Sequence, residues 1–82
     1  MIRKFEPVVF TVDLPRYGLL AGDVGTVADI HASGKAYEVE VFLADGSTYD
    51  VVTVQEGQIR SAAKNEVMHA RAIAPAEANI QS

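Results

Sequence analysis

The chain has 82 residues, which is enough for one domain with a single small core. It contains no cysteine, which excludes a disulfide framework and a thiolate metal site. The formal net charge is −4, and the acidic excess falls within residues 1–61, which carry nine Asp or Glu against five Lys or Arg. Because such a surface repels phosphate backbones, we expect no nucleic acid among its partners.

No part of the sequence predicts contact with a membrane. No apolar run approaches the roughly 20 residues that cross a bilayer. Residues 1–7 include two basic side chains but no apolar segment behind them, so they do not predict a signal peptide. With the lack of cysteine, these features favour a cytoplasmic protein.

The first third of the chain predicts two strands joined by a long loop. Residues 8–12 are β-branched or aromatic and predict the first strand. Residues 13–22 contain one proline and two glycines, which are typical of a loop. A second strand is predicted over residues 23–31, and Gly25 inside it indicates a bulge or a sharp bend.

A hairpin follows. Residues 37–43 alternate between apolar and polar side chains, so Val39 and Val41 should face the core while Glu38 and Glu40 face water. The same alternation places Tyr37 and Leu43 with the valines and Phe42 with the glutamates. An Asp-Gly turn at residues 45–46 leads into a returning strand over residues 48–54.

A single helical turn over residues 55–58 and a short strand at residues 59–60 complete this part of the chain. Five short strands with one long first loop predict an all-β fold, a small five-stranded SH3-like β-barrel over residues 1–61. Closure of the barrel would hide the edges that a flat sheet of this size exposes.

Residues 62–82 form an alanine-rich tail that is either a short helix or disordered. Residues 62–73 have high helix propensity and Pro75 would end the helix, but about 12 residues make a marginal helix unless they pack on something. Three large apolar side chains in the tail have no assigned place: Val67, Met68 and Ile73. We expect them to dock either on a neighbouring subunit, as a homodimer, or on the protein's own barrel.

The sequence offers no set of catalytic residues and no metal site, so we expect no enzyme activity, no metal and no cofactor. Glu38 and Glu40 are spaced as paired carboxylates but are predicted to be solvated. Glu66 and His69 are predicted to make a surface contact rather than to bind a metal. Arg16 and Tyr17, in the first loop, are the candidate partner-binding residues, since such residues are frequent at binding hot spots. In the alternative, Tyr17 folds back over the end of the barrel.

The order DLPRYGLLAGDVGTV at residues 13–27, followed by YEVEV at residues 37–41 and Ile59-Arg60, resembles a family of small bacterial proteins catalogued as domain of unknown function 4926. The resemblance covers roughly residues 5–61. It implies an SH3-like barrel and supplies no functional residues. The tail extends beyond the usual end of the family.

Three functions are consistent with these features. The first is a non-catalytic protein-interaction module, a partner or neutralising subunit of another small bacterial protein. The second is a KOW-like barrel associated with RNA or the ribosome, which rests on fold analogy and conflicts with the acidic charge. The third is a small-molecule binder whose site forms at an oligomer interface.

Overall fold

Five antiparallel strands form a single sheet, which confirms the all-β prediction. The computed structural model describes residues 2–74. The strands are β1 (Pro7–Phe10), β2 (Val24–His31), β3 (Ala36–Phe42), β4 (Thr48–Gln55) and β5 (Ile59–Ser61). Their order across the sheet is β4-β3-β2-β1-β5, so the last strand returns to lie beside the first. Within the described residues, no helix is long and apolar enough to span a membrane.

One apolar core is enclosed by the sheet. All five strands contribute to it, and Leu19 adds a side chain from the first loop. The predicted facing of β3 is confirmed, since Val39 and Val41 are buried while Glu38 and Glu40 lie on the opposite, partly exposed face. Leu43 was expected in the core but is exposed, because β3 ends at Phe42 and its pairing with β4 shifts after Val41.

Gly25 does not form the expected bulge. It pairs regularly with Val8, and the irregularity of β2 lies instead between Val27 and Asp29. Gly25 serves close packing: a Cβ placed there would lie 2.5 Å from Val39 Cγ1 and 3.0 Å from the Glu40 carbonyl oxygen. A glycine in a strand thus marks the close approach of a neighbouring strand here, and not an extra residue.

The long first loop contains a short 3-10 turn, Pro15–Tyr17, that was not predicted. Proline suits the start of such a turn because its φ angle is already set. Gly18 ends it with a φ of 72°, in the left-handed region that glycine adopts without strain. The returning chain then buries Leu19 and brings Asp23 to the start of β2.

The tail is not helical where it is described. Residues 62–74, here called the C-terminal strap, contain only a turn near residues 64–65 and otherwise no regular structure. Among its side chains, Glu66 bonds to Arg60 on β5, and the alternate residues His69, Arg71 and Ile73 contact the first loop and the core. Residues two apart face the same side in an extended chain but nearly opposite sides in a helix. These contacts therefore favour the extended form over a helix that is marginal in water.

Candidate functional site

A cleft of about 320 Å³ lies between the C-terminal strap and the sheet. The strap side of the lining is formed by His69, Ala70, Arg71 and Ile73. The opposite side includes apolar residues from the first loop, from β3 and from the turn after β3, namely Leu19, Val41, Phe42 and Leu43. Phe42 is 48% exposed and Leu43 is 39% exposed, so apolar surface faces solvent at this cleft.

Asp23 is the buried charged residue of the described chain and lies in the lining of this cleft. Its side chain is 8% exposed. The backbone N–H of Leu20 donates to Oδ2 at 2.8 Å. Arg71 donates twice, from Nε to Oδ1 at 2.8 Å and from Nη2 to Oδ2 at 2.6 Å. His69 Nε2 lies 2.8 Å from Oδ1, so Asp23 joins the first loop to the strap.

The pKa of Asp23 reflects two opposing effects. Burial raises it, because a charged carboxylate loses its hydration. The hydrogen bonds from Arg71, from the Leu20 N–H and from His69 favour the charged form and lower the pKa by more, to about 2. Asp23 is therefore ionised at neutral pH, and its charge requires the cation that the strap supplies.

Arg71 makes a further contact with the first loop. Its Nη2 donates to the carbonyl oxygen of Gly18 at 2.9 Å. The guanidinium thus bonds both carboxylate oxygens of Asp23 and the Gly18 carbonyl, and its Nη1 also donates to the adjacent Ala72 carbonyl at 3.1 Å, an arrangement that uses its planar fork. A lysine at this position could not reproduce it, since an ammonium group lacks the paired donors.

The strap has a second charged attachment at β5. Arg60 donates to both carboxylate oxygens of Glu66, at 2.8 and 2.7 Å, and the Ala63 N–H donates to Oε1 of Glu66 at 2.7 Å. The Arg60 bonds and the Ala63 N–H lower the pKa of Glu66 to about 2. Glu66 therefore does not contact His69 as the sequence suggested: Glu66 binds Arg60, and His69 lies against Asp23.

The two candidate residues of the first loop, Arg16 and Tyr17, lie in different environments. Tyr17 is half-buried against the core, and its carbonyl oxygen accepts a hydrogen bond from the Tyr49 hydroxyl at 2.7 Å. This is the packing alternative considered for Tyr17. Arg16 is exposed, with its guanidinium carbon 5.6 Å from the centre of the Tyr17 ring.

The three apolar residues of the tail, Val67, Met68 and Ile73, also differ in their exposure to solvent. Ile73 is half-buried and packs against the protein's own core. Val67 is 93% exposed and Met68 is 48% exposed. Among residues 2–74, no three His, Asp or Glu side chains are grouped so as to hold a metal ion.

Sequence reasoning missed Asp23, His69 and Arg71 as a cluster. Asp23 was interpreted only as part of a Gly-Asp-Val-Gly turn, and Arg71 only as part of a helix-prone run. One available signal was the alternation of His69, Arg71 and Ile73 with single alanines, a period of two that is typical of an extended segment with one contacting face.

The comparisons with known proteins bear on this chain through one family. No curated protein and no solved structure matches it significantly, so the SH3-like description stays a prediction. The family model described as "Domain of unknown function (DUF4926)" matches residues 5–61. This range includes Gly18, Leu20 and Asp23 but ends before Arg71. The chain belongs to the DUF4926 family.

Proposed function

We propose that this protein is a non-catalytic protein-interaction module that binds an extended segment of a partner protein at the cleft beside the C-terminal strap. The observation that carries the proposal is the exposed apolar surface of Phe42 and Leu43 at a cleft of about 320 Å³. Large apolar side chains left in water beside a concave surface are typical of protein-binding sites.

The strap supports an extended segment as the ligand. It has no helix or strand over residues 62–74, its alternate contacts favour an extended form, and it already lies along one side of the cleft. Its contacts come from alternate side chains, which is how an extended peptide presents one face to a groove. A partner segment would lie against Phe42 and Leu43 in the same manner.

The charged groups at the cleft favour binding over chemistry. Of its titratable residues, His69 and Arg71 both bond to Asp23 and so hold the strap in place. The cations elsewhere do not favour the RNA-binding alternative, since Arg60 is bonded to Glu66 and Lys4 lies 4.0 Å from Asp29. Within the proposal, a partner would be another small bacterial protein, and binding would take place in the cytoplasm.

A pair of variants with matched exposure tests this function. Val51 on β4 is 46% exposed, close to the 48% of Phe42, but does not line the cleft. The protein is used to capture partners from lysate, and the captured protein is identified, purified and titrated. We expect Phe42→Ser to weaken binding by about tenfold or more and Val51→Ser to change it by less than about twofold. Equal effects of both substitutions, or no captured protein, would contradict the proposal.

Self-association through the strap is a second arrangement that we propose for testing. Val67, at 93% exposure, and Met68 are the apolar side chains available to a second copy. Sedimentation of the full chain and of a Val67→Ser, Met68→Ser variant would decide. A dimer that the substitutions convert to a monomer supports this arrangement, and a monomeric parent protein excludes it.

A further inference from the structure

We propose that Asp23, the Gly18 carbonyl and the Leu20 N–H form a recognition site for an arginine in an extended segment with an aliphatic residue two positions later, and that the strap occupies this site as a built-in ligand. An arginine-bearing segment of a partner protein would then bind by displacing residues 69–73. This inference rests on the proposed protein-binding function and names the class of partner segment and its regulation.

The acceptor half of the site belongs to the family domain and the donor half does not. Gly18, Leu20 and Asp23 lie within residues 5–61, whereas Arg71 follows ten residues after the end of that range. The loop itself holds Asp23, since the Leu20 N–H donates to Oδ2 and the Asp23 N–H donates to the Leu20 carbonyl at 3.0 Å. The carboxylate is therefore positioned by its own loop and is ready for a guanidinium from any source.

The site is selective for arginine because three acceptors surround one guanidinium. The two oxygens of Asp23 and the carbonyl of Gly18 each accept a bond of 2.6 to 2.9 Å from Arg71. At 8% exposure, Asp23 has little water to replace a lost cation. An ionised carboxylate without a partner at this depth is costly, so the site favours an occupied state.

The strap is held in a way that allows exchange. The N–H of Ala62 donates to the Pro7 carbonyl at 3.2 Å, but among residues 63–74 no backbone group makes a hydrogen bond to the sheet. Beyond Ala62, side chains attach the strap: Glu66 at Arg60, His69 and Arg71 at Asp23, and Ile73 at the core. A competing segment with an arginine and an aliphatic residue can replace all the contacts of residues 71–73.

Covalent linkage sets the strength of this competition. A segment tethered by a short linker acts at an effective concentration in the millimolar range. A free segment with the same side chains must therefore bind far more weakly to the parent protein than to a variant whose own arginine is removed. The strap would thus restrict binding to partners whose segments make additional contacts, such as those offered by Phe42 and Leu43.

The test uses the full chain and a labelled peptide with the sequence of residues 66–74, EVMHARAIA. The acceptor is the Arg71→Gln variant, with Arg71→Lys as a milder second acceptor, and both are first shown to be folded by NMR. We expect the peptide to bind Arg71→Gln at least about tenfold more tightly than the parent protein. The amide signals of Gly18, Leu20 and Asp23 should shift on binding.

Two controls make the result specific. Adding Asp23→Asn to the Arg71→Gln variant should abolish binding, and a peptide with lysine in place of arginine should bind at least about fivefold more weakly. The proposal is overturned if parent and variant bind equally, if a folded acceptor variant fails to bind, or if the lysine peptide binds as well. Partner capture that still depends on Phe42 would then leave the proposed function intact. If the peptide binds but no partner is captured from lysate, the proposed function is excluded and the arginine site at Asp23 is still supported.

Discussion

Asp23 is a carboxylate that depends on groups distant in the sequence. The Leu20 N–H reaches it from within the first loop, whereas the guanidinium of Arg71 comes from 48 residues further along the chain. Because an unpaired buried charge is unfavourable, the low exposure and the charge of Asp23 require the cation that the strap supplies. The residue thus links the stability of the domain to the position of the strap.

The low pKa of Asp23 predicts a specific pH dependence of stability. The pKa of Asp23 in the folded protein, about 2, lies below the ordinary value of an aspartate, 3.8. The carboxylate therefore stabilises the fold fully above about pH 4, and this contribution, about 2 kcal/mol, is lost as the pH falls towards 2. Chemical unfolding of the parent protein and Asp23→Asn at pH 6 and pH 2.5 measures it. The gap between the two proteins should narrow at low pH, and a constant gap would contradict this account.

Gly25 carries a different constraint, since its neighbours leave no room for a side chain. A Cβ would lie 2.5 Å from Val39 Cγ1, and the Glu40 carbonyl at 3.0 Å is backbone that cannot rotate away. We expect Gly25→Ala to lower the free energy of unfolding by about 1–3 kcal/mol. Gly57→Ala is the matched control, because nothing lies within 4 Å of its Cβ position. Similar losses in both variants, measured by denaturant unfolding, would show that the Gly25 packing argument is wrong.

At the scale of elements, the sheet was predictable and the strap was not. The facing of β3 follows from a local alternation of valines with glutamates, which any sheet with one buried face requires. The 3-10 turn at Pro15–Tyr17 and the packing role of Gly25 depend on which strands meet, and the sequence does not show this directly.

The conformation of the strap was not predicted because its contacts with the rest of the protein outweigh its helix propensity. Residues 62–73 contain many alanines, which favour a helix, yet the pair of Arg71 with Asp23 and the packing of Ile73 favour an extended chain. The candidate site was missed for the same reason, since two of its residues, His69 and Arg71, lie in the strap. Only its apolar half was indicated by the sequence, through the unassigned side chain of Ile73.

The attachment of the strap predicts its sensitivity to protease. Lys64 lies in an exposed turn of the strap, and cleavage after it becomes faster when the flanking chain opens locally. We expect trypsin to cleave after Lys64 about tenfold faster in Arg71→Gln than in the parent protein, because the Asp23 contact is lost. Cleavage at Arg3 and Lys4, far from the strap in sequence, serves as the internal control. An unchanged rate at Lys64 would contradict this prediction and would mean that Ala62 at Pro7 and Glu66 at Arg60 hold this segment without Arg71.

For the whole molecule, the distribution of charge disfavours nucleic acids as partners. The net charge is −4, and several cations are already occupied by carboxylates, among them Arg60 and Arg71. We therefore expect no appreciable binding to RNA or duplex DNA at about 150 mM salt. A fluorescence titration checks this, and micromolar affinity with a steep dependence on salt would revive the RNA-binding alternative.

In the folded protein, the strap holds Arg71 on Asp23. NMR of the full chain tests this arrangement most directly, through the Cα chemical shifts of residues 62–74 and the Nε–H signal of Arg71. We predict extended or non-helical shifts, and an Nε–H signal that persists at neutral pH and is lost in Asp23→Asn. Helical shifts over residues 62–73, or an Arg71 signal that Asp23→Asn leaves unchanged, would show that the strap does not hold Arg71 on Asp23 in this way.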